Sequence, residues 1–107
     1  MNRGEVHWIE FGPGQGGETQ KLRPAVVLTS DQALPHLNRV QVVPLTSNIA
    51  RVFAGEALVS LGGRESKALA TELTTVSKER LRGRLGVLSA GDLARVESAV
   101  KVILQLR

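Results

Sequence analysis

The feature that most constrains this chain is a pair of apolar runs separated by a polar, turn-rich segment. Ala25 to Ser30 and Val40 to Leu45 read as strands, and Asp31 to Arg39 between them carries the turn formers. Runs this close in sequence, with no helical period between them, pair as antiparallel neighbours. In the register that sets Ser30 opposite Arg39, Arg23 falls opposite Thr46, so a guanidinium and a hydroxyl emerge side by side at one rim of a sheet. Pro24 disfavours the α region at Arg23 and so holds the arginine extended at the strand entrance. Pro44 has no N–H to give, which marks that end of the second run as an edge or a bulge.

The remaining elements are short and punctuated by glycine. Glu5 to Phe11 reads as a first strand with Val6 and Trp8 on one face and His7, Ile9 and Phe11 on the other, as in a covered sheet or small barrel. His7 in such a strand reads as a satisfied structural residue ahead of a catalyst. Gly12 to Leu22 is a glycine-rich loop, either a mobile flap over a site or an ordinary connection. Its glycine spacing approaches a phosphate loop, but Glu18 stands where the lysine is needed and would repel a triphosphate. Gly55 to Leu61 reads as a strand, Gly62-Gly63 as a turn, Ser66 to Val76 as one extended stretch and Ser77 to Arg80 as a helical turn. In Leu81 to Leu88, Leu81, Leu85 and Val87 alternate with Arg80, Arg82 and Arg84. That pattern sets three arginines on one face about 7 Å apart. They form either a row that tracks the phosphates of a single strand or a solvated basic face. Ser89 with Asp92 resembles a capping box opening a helix, along which Leu93, Val96, Val100, Ile103 and Leu104 recur as a core stripe. The fold class is therefore mainly β with a C-terminal helix: a small, partly open barrel of about five to six mostly antiparallel strands.

Composition narrows the chemistry. At 107 residues, 42% of them apolar, the chain builds one core, so residues 1–107 are expected to form a single domain. The absence of cysteine removes disulfides, thiolate chemistry and cysteine-held zinc, and two separated histidines make a histidine metal site a poor expectation. The net charge is +4 with ten arginines to four lysines. That balance suits a polyanionic partner, and equally a soluble protein with a basic surface. No apolar run approaches the roughly 20 residues that span a bilayer, and the polar start shows no signal peptide, so the cytoplasm is the expected compartment.

An ordered set of short motifs runs along nearly the whole chain. Arg3-Gly4-Glu5-Val6 with Trp8, then Gly12-Pro13, Glu18 and Arg23-Pro24-Ala25-Val26-Val27 come first. Val43-Pro44-Leu45-Thr46-Ser47-Asn48, Thr75-Val76 and Arg80-Leu81 follow. In this order the set resembles the MazF/PemK family of toxin endoribonucleases. The resemblance implies an SH3-like barrel, shared with CcdB-type gyrase poisons, and a homodimer restrained by an acidic antitoxin. It also implies cleavage of single-stranded RNA without metal or cofactor, leaving a 2′,3′-cyclic phosphate and a 5′-hydroxyl. By the same resemblance Arg23 and Thr46 are the catalytic residues, with Glu18 implicated beside them. Gln20, Ser47, Asn48, Arg80, Arg82 and Arg84 complete the expected RNA-contacting set. One departure is visible: Thr71-Glu72 stands where the family usually carries Asp-Gln, which detaches the cleavage sequence of relatives from this chain.

The residue inventory agrees with that chemistry. Attack by an internal 2′-hydroxyl needs a proton acceptor, in-line geometry and donors for charge growing on the phosphoryl oxygens. Arg23 suits the last task and is too basic to be the acceptor. Thr46 can donate to a phosphoryl oxygen or hold the attacking hydroxyl, and Glu18 is the candidate base or positioner. Two alternatives remain at this stage: a gyrase-directed toxin of the same fold, and a basic barrel that binds nucleic acid without cutting it.

Overall fold

The structure, a computed structural model, describes residues 1–12 and 22–107. Seven described strands precede one helix: β1 (Glu5–Glu10), β2 (Leu22–Val27), β3 (Arg39–Thr46), β4 (Glu56–Leu61), β5 (Arg64–Leu69), β6 (Thr74–Ser77), β7 (Leu81–Val87) and α1 (Ala90–Leu104). They form one antiparallel sheet in the order β4-β5-β3-β2-β1-β7, with β6 added to β3. The two ends of the sheet approach where the Leu61 side chain of β4 lies against Gly86 of β7, which makes the barrel partly open.

The expected register between the central strands is the one observed. Ala25 pairs with Pro44, Val26 with Val43 and Val27 with Val42. The strand bounds differ, however, because β2 starts at Leu22 and ends at Val27. Past that point the Thr29 hydroxyl accepts from the Gln41 N–H at 2.8 Å, while the Ser30 carbonyl accepts from Ala33 and Leu34 and opens a 3-10 turn over Leu34–His36. Ser30 is therefore already turning.

Pro44 is neither at an edge nor in a bulge. β3 is interior: one side pairs with β2, and the other pairs with β6 over Arg39–Val42 and with β5 over Leu45–Thr46. Leu28 donates to the Gln41 carbonyl, so odd-numbered residues of β3 turn their backbone groups toward β2 and Pro44 turns away from it. Its missing donor thus falls in the gap where the neighbour changes from β6 to β5. That change also explains why Ser66 to Val76 is two strands and not one. Two strands share one edge of β3, and the chain steps between them through a 3-10 turn at Ala70–Glu72, where the Ala70 N–H donates to the Gly55 carbonyl at 3.0 Å.

The β4–β5 hairpin closes through Gly62 and Gly63, both at positive φ (58° and 79°), between the paired Leu61 and Arg64. This is the turn that two glycines permit without strain. The turn at Lys78–Arg80 forms as expected, with the Ser77 side chain accepting from the Glu79 N–H.

Valine alternation fills two clusters, one on each face of the central strands, so the single core expected from composition is divided by the sheet. Val6, Val26 and Val43 pack with Leu45, Val59, Val96 and Ala99 beneath α1. Ile9, Ala25, Val27, Val40 and Val42 pack on the opposite face with Leu34 and Val76. β1 therefore buries both faces, though Trp8 stays exposed. The helix stripe is shorter than its periodicity suggests: Val96 and Ala99 are buried, whereas Ile103 and Leu104 are exposed. The Ser89 hydroxyl caps α1 at the Asp92 N–H, but the Asp92 carboxylate does not return the bond. It accepts instead from the Ser60 N–H at 2.8 Å, on the outer strand β4. Half of a capping box has become a tie between helix and sheet.

Gly55 makes that helix fit. Its φ is +83°, and a Cβ there would stand 2.4 Å from Ile103. Gly55→Ala is expected to cost about 1–3 kcal/mol from backbone strain and overpacking, read as a lower denaturant midpoint at unchanged slope.

Candidate active site

Arg23 and Thr46 occupy the rim that the strand register selects. Ile9 of β1 pairs with Arg23, and the β2–β3 register continued by two residues sets Arg23 opposite Thr46 on the same face. The ladder between β2 and β3 ends at Ala25 and Pro44. The alternation of backbone groups turns Pro24 toward β3, where it has no N–H for Leu45. The ladder therefore stops two residues short of Arg23 and Thr46.

Each side chain at the rim has a defined partner. Arg23 Nη1 donates to Glu72 Oε1 at 3.2 Å, with the arginine side chain 30% and the glutamate 49% exposed. Thr46 Oγ1 accepts from the Asn48 N–H at 3.2 Å, and Asn48 Oδ1 accepts in turn from the Ala50 N–H. Ser47 and Asn48 are exposed and continue the rim. Because a backbone donor occupies a lone pair of Thr46, the hydroxyl proton is left to point at an incoming oxygen.

Beneath this rim lies a buried cation that the sequence reading did not single out. Lys67 pairs with Thr46 across β5 and β3, donates to the Arg51 carbonyl at 2.7 Å, and stands 3.1 Å from Glu56. The Phe53 N–H bonded to Glu56 at 2.8 Å, together with Lys67, holds the Glu56 carboxyl below its ordinary range against the opposing effect of burial. This group ties the segment after Thr46 to the β4–β5 hairpin. The only signal for it in the sequence is a lysine heading the apolar run Lys67-Ala68-Leu69-Ala70.

The arginine row is not the regular face that alternation suggests. β7 pairs with β1 through Ile9↔Leu81, Trp8↔Gly83, His7↔Arg84 and Val6↔Gly86, which leaves Arg82 and Leu85 as extra residues at two bulges. Each bulge breaks the two-residue period, so Leu85 and Val87 face outward and are exposed. The arginines turn back onto β1. Arg80 Nη1 donates to the Glu10 carbonyl and lies over Gly12, Arg82 grips Glu10 Oε2 through Nε (3.0 Å) and Nη2 (2.7 Å), and Arg84 stands 3.7 Å from Glu5. Arg80 and Arg82 lie at the same end of the sheet as Arg23. Arg84 sits further in, beside His7.

His7 is a satisfied strand residue, buried with Nε2 2.9 Å from Glu5 Oε1. Burial opposes ionisation of Glu5, but the His7 hydrogen bond and the nearby positive charges hold its carboxyl below the usual value. Glu18 and Gln20 lie outside the described residues. Among the described residues no group of three His, Asp or Glu could hold a metal ion, and no helix is long and apolar enough to cross a membrane.

The same architecture, a partly open antiparallel barrel closed by one helix, is that of solved toxin structures. MazF from Deinococcus radiodurans superposes with a TM-score of 0.82 at 25% identity, covering 99% of this chain and 97% of that one. An endoribonuclease from Mycobacterial species, solved in complex with its cognate antitoxin, superposes at 0.83 and 19% identity over 100% and 97% of the two chains, and shows the shared fold. The sequence agrees: Endoribonuclease MazF9 of Mycobacterium tuberculosis (strain ATCC 25618 / H37Rv) is 36% identical over 115 residues, 99% of this chain and 98% of the relative. Residues 2–104 match the PemK-like, MazF-like toxins of type II toxin-antitoxin systems, and the chain belongs to that family.

Proposed function

We propose that this chain is a sequence-selective endoribonuclease toxin that cuts single-stranded RNA at the Arg23–Thr46 rim. The observation that carries the reading is the β2–β3 register, which opposes those two side chains when continued two residues past Ala25 and Pro44. Family membership and the endoribonuclease relative supply the reaction class.

In this reading the 2′-oxygen attacks the adjacent phosphorus while its proton passes to a base, for which Glu18 is the candidate. The bond from phosphorus to the 5′-oxygen breaks, and that oxygen leaves as a 5′-hydroxyl after taking up a proton. A 2′,3′-cyclic phosphate remains on the other fragment. Arg23 neutralises charge on the phosphoryl oxygens, and Thr46 donates its hydroxyl proton to one of them. Ser47, Asn48 and Gln20 contact the RNA near the cut, and Arg80, Arg82 and Arg84 guide its backbone. No cofactor enters these steps.

The working unit is a homodimer of single-domain chains in the cytoplasm. The exposed Leu85 and Val87 on the terminal strand β7 suit contact with a second copy. An acidic antitoxin laid over the basic rim restrains the enzyme, as the antitoxin complexes among its structural relatives suggest. A gyrase-binding toxin or a non-cleaving barrel would need neither Arg23 nor Thr46 at this rim.

The test is incubation with a long unstructured RNA in excess chelator, followed by mapping of fragment ends. Cuts at one short repeated sequence, with cyclic phosphate and 5′-hydroxyl ends, are expected. Intact RNA with folded protein would overturn the proposal.

A further inference from the structure

Glu72 is brought to Arg23 from 49 residues away in the sequence and meets it at 3.2 Å. Its side chain is half exposed, but its backbone is held. It closes the 3-10 turn in which Ala70 is buried and bonded to the Gly55 carbonyl, the Leu73 N–H returns to the Ala70 carbonyl, and the Leu73 side chain packs against the main core. The turn occupies the step between β5 and β6, beside the gap that Pro44 leaves in β3. A negative charge carried on a held turn therefore stands where the phosphodiester of the proposed reaction must approach Arg23.

Carboxylate and phosphate make the same demand on a guanidinium, since both accept from its planar donors. They compete for Arg23, and they repel each other when both are close. We infer that Glu72 holds the Arg23 guanidinium in the RNA-free protein and competes with the incoming phosphodiester for it, which sets the affinity of the site for single-stranded nucleic acid. This inference rests on the assignment of Arg23 as the phosphate-binding residue. Glu72 is a positioning residue here, acting on substrate through Arg23. The pair is partly exposed, so it adds little to stability and its effect appears in binding.

The size of the effect follows from Coulomb's law. Two like charges about 5 Å apart in a largely aqueous setting repel by an amount worth about three- to tenfold in an equilibrium constant. Salt weakens it, because part of the field crosses solvent.

Equilibrium binding of a fluorescent 2′-deoxy oligonucleotide, which lacks the attacking hydroxyl, tests this beside steady-state cleavage of the matching ribo-oligonucleotide. Glu72→Gln is expected to tighten Kd and lower KM by about three- to tenfold, with kcat within about twofold, and the gain should shrink at high salt. Glu72→Asp, which keeps the charge, is expected to stay nearer the wild type, and denaturation midpoints are expected to be unchanged in both. An unchanged or weakened Kd in folded Glu72→Gln overturns the inference. So does a tenfold or greater fall in kcat at unchanged Kd, which would give Glu72 a part in the chemistry instead. A wild-type protein that binds the oligonucleotide and leaves RNA intact would defeat the endoribonuclease reading alone, and the Kd comparison would still decide the role of Glu72.

Discussion

Arg23→Ala is expected to lower kcat/KM for a single-stranded oligoribonucleotide by about 10³-fold, roughly 4 kcal/mol of transition-state stabilisation. The loss should fall mainly on kcat, because the charge that Arg23 meets grows as the new bond to phosphorus forms. Stability should hardly move. The Arg23–Glu72 pair is single and partly exposed, a kind of contact worth under about 1 kcal/mol. Arg23→Lys keeps the charge without the planar fork, so an intermediate loss of about 10- to 100-fold is expected. Single-turnover cleavage at saturating enzyme separates these values, with a denaturation curve for each variant. Full activity in Arg23→Ala would move the chemistry away from this rim.

That rim was legible in the sequence for a definite reason. Valine runs on either side of a short turn segment favour registers that bury both sets of inward residues, and the register assumed among them, Ala25↔Pro44 to Val27↔Val42, is the one observed. Two residues further, the same register reaches Arg23 and Thr46. What periodicity missed were the places where tertiary neighbours change. The alternation in Leu81–Val87 is real in sequence, yet two bulges against β1 make Arg82 and Leu85 surplus and send the arginines to Glu10 and Glu5. Pro44 looked like an edge because a missing donor usually means one, whereas here it faces the junction of two strands sharing one neighbour. Glu72 was visible only as a departure from a family pattern, since no local rule links a 3-10 turn to an arginine 49 residues earlier. Lys67 was hidden in an apolar run for the same reason: its partners Glu56 and Arg51 reach it only after the hairpin has folded.

The second core cluster carries the largest expected effect on stability. Ile9 is fully buried on the face that also bears Arg23, to which it is paired, with Leu81 on its other side. Ile9→Ala removes most of that side chain from a floor of hydrogen-bonded strands that can collapse only slightly. The roof is a 3-10 turn at Leu34 and the short strand carrying Val76. A loss of about 3–4 kcal/mol is therefore expected, against about 1 kcal/mol for Ile9→Val, with both measured by denaturant at one fixed protein concentration. A difference of that size is a large fraction of the 5–15 kcal/mol typical of a domain, so the alanine variant is best assayed well below its melting temperature. There, activity reports on geometry. If β1 and β2 keep their ladder, Arg23 stays within reach of the phosphate and kcat/KM holds within a few-fold. A fall of a hundredfold in protein that is still folded would mean that the packing under Ile9 fixes Arg23 to within about an ångström, the scale on which positioning controls rate.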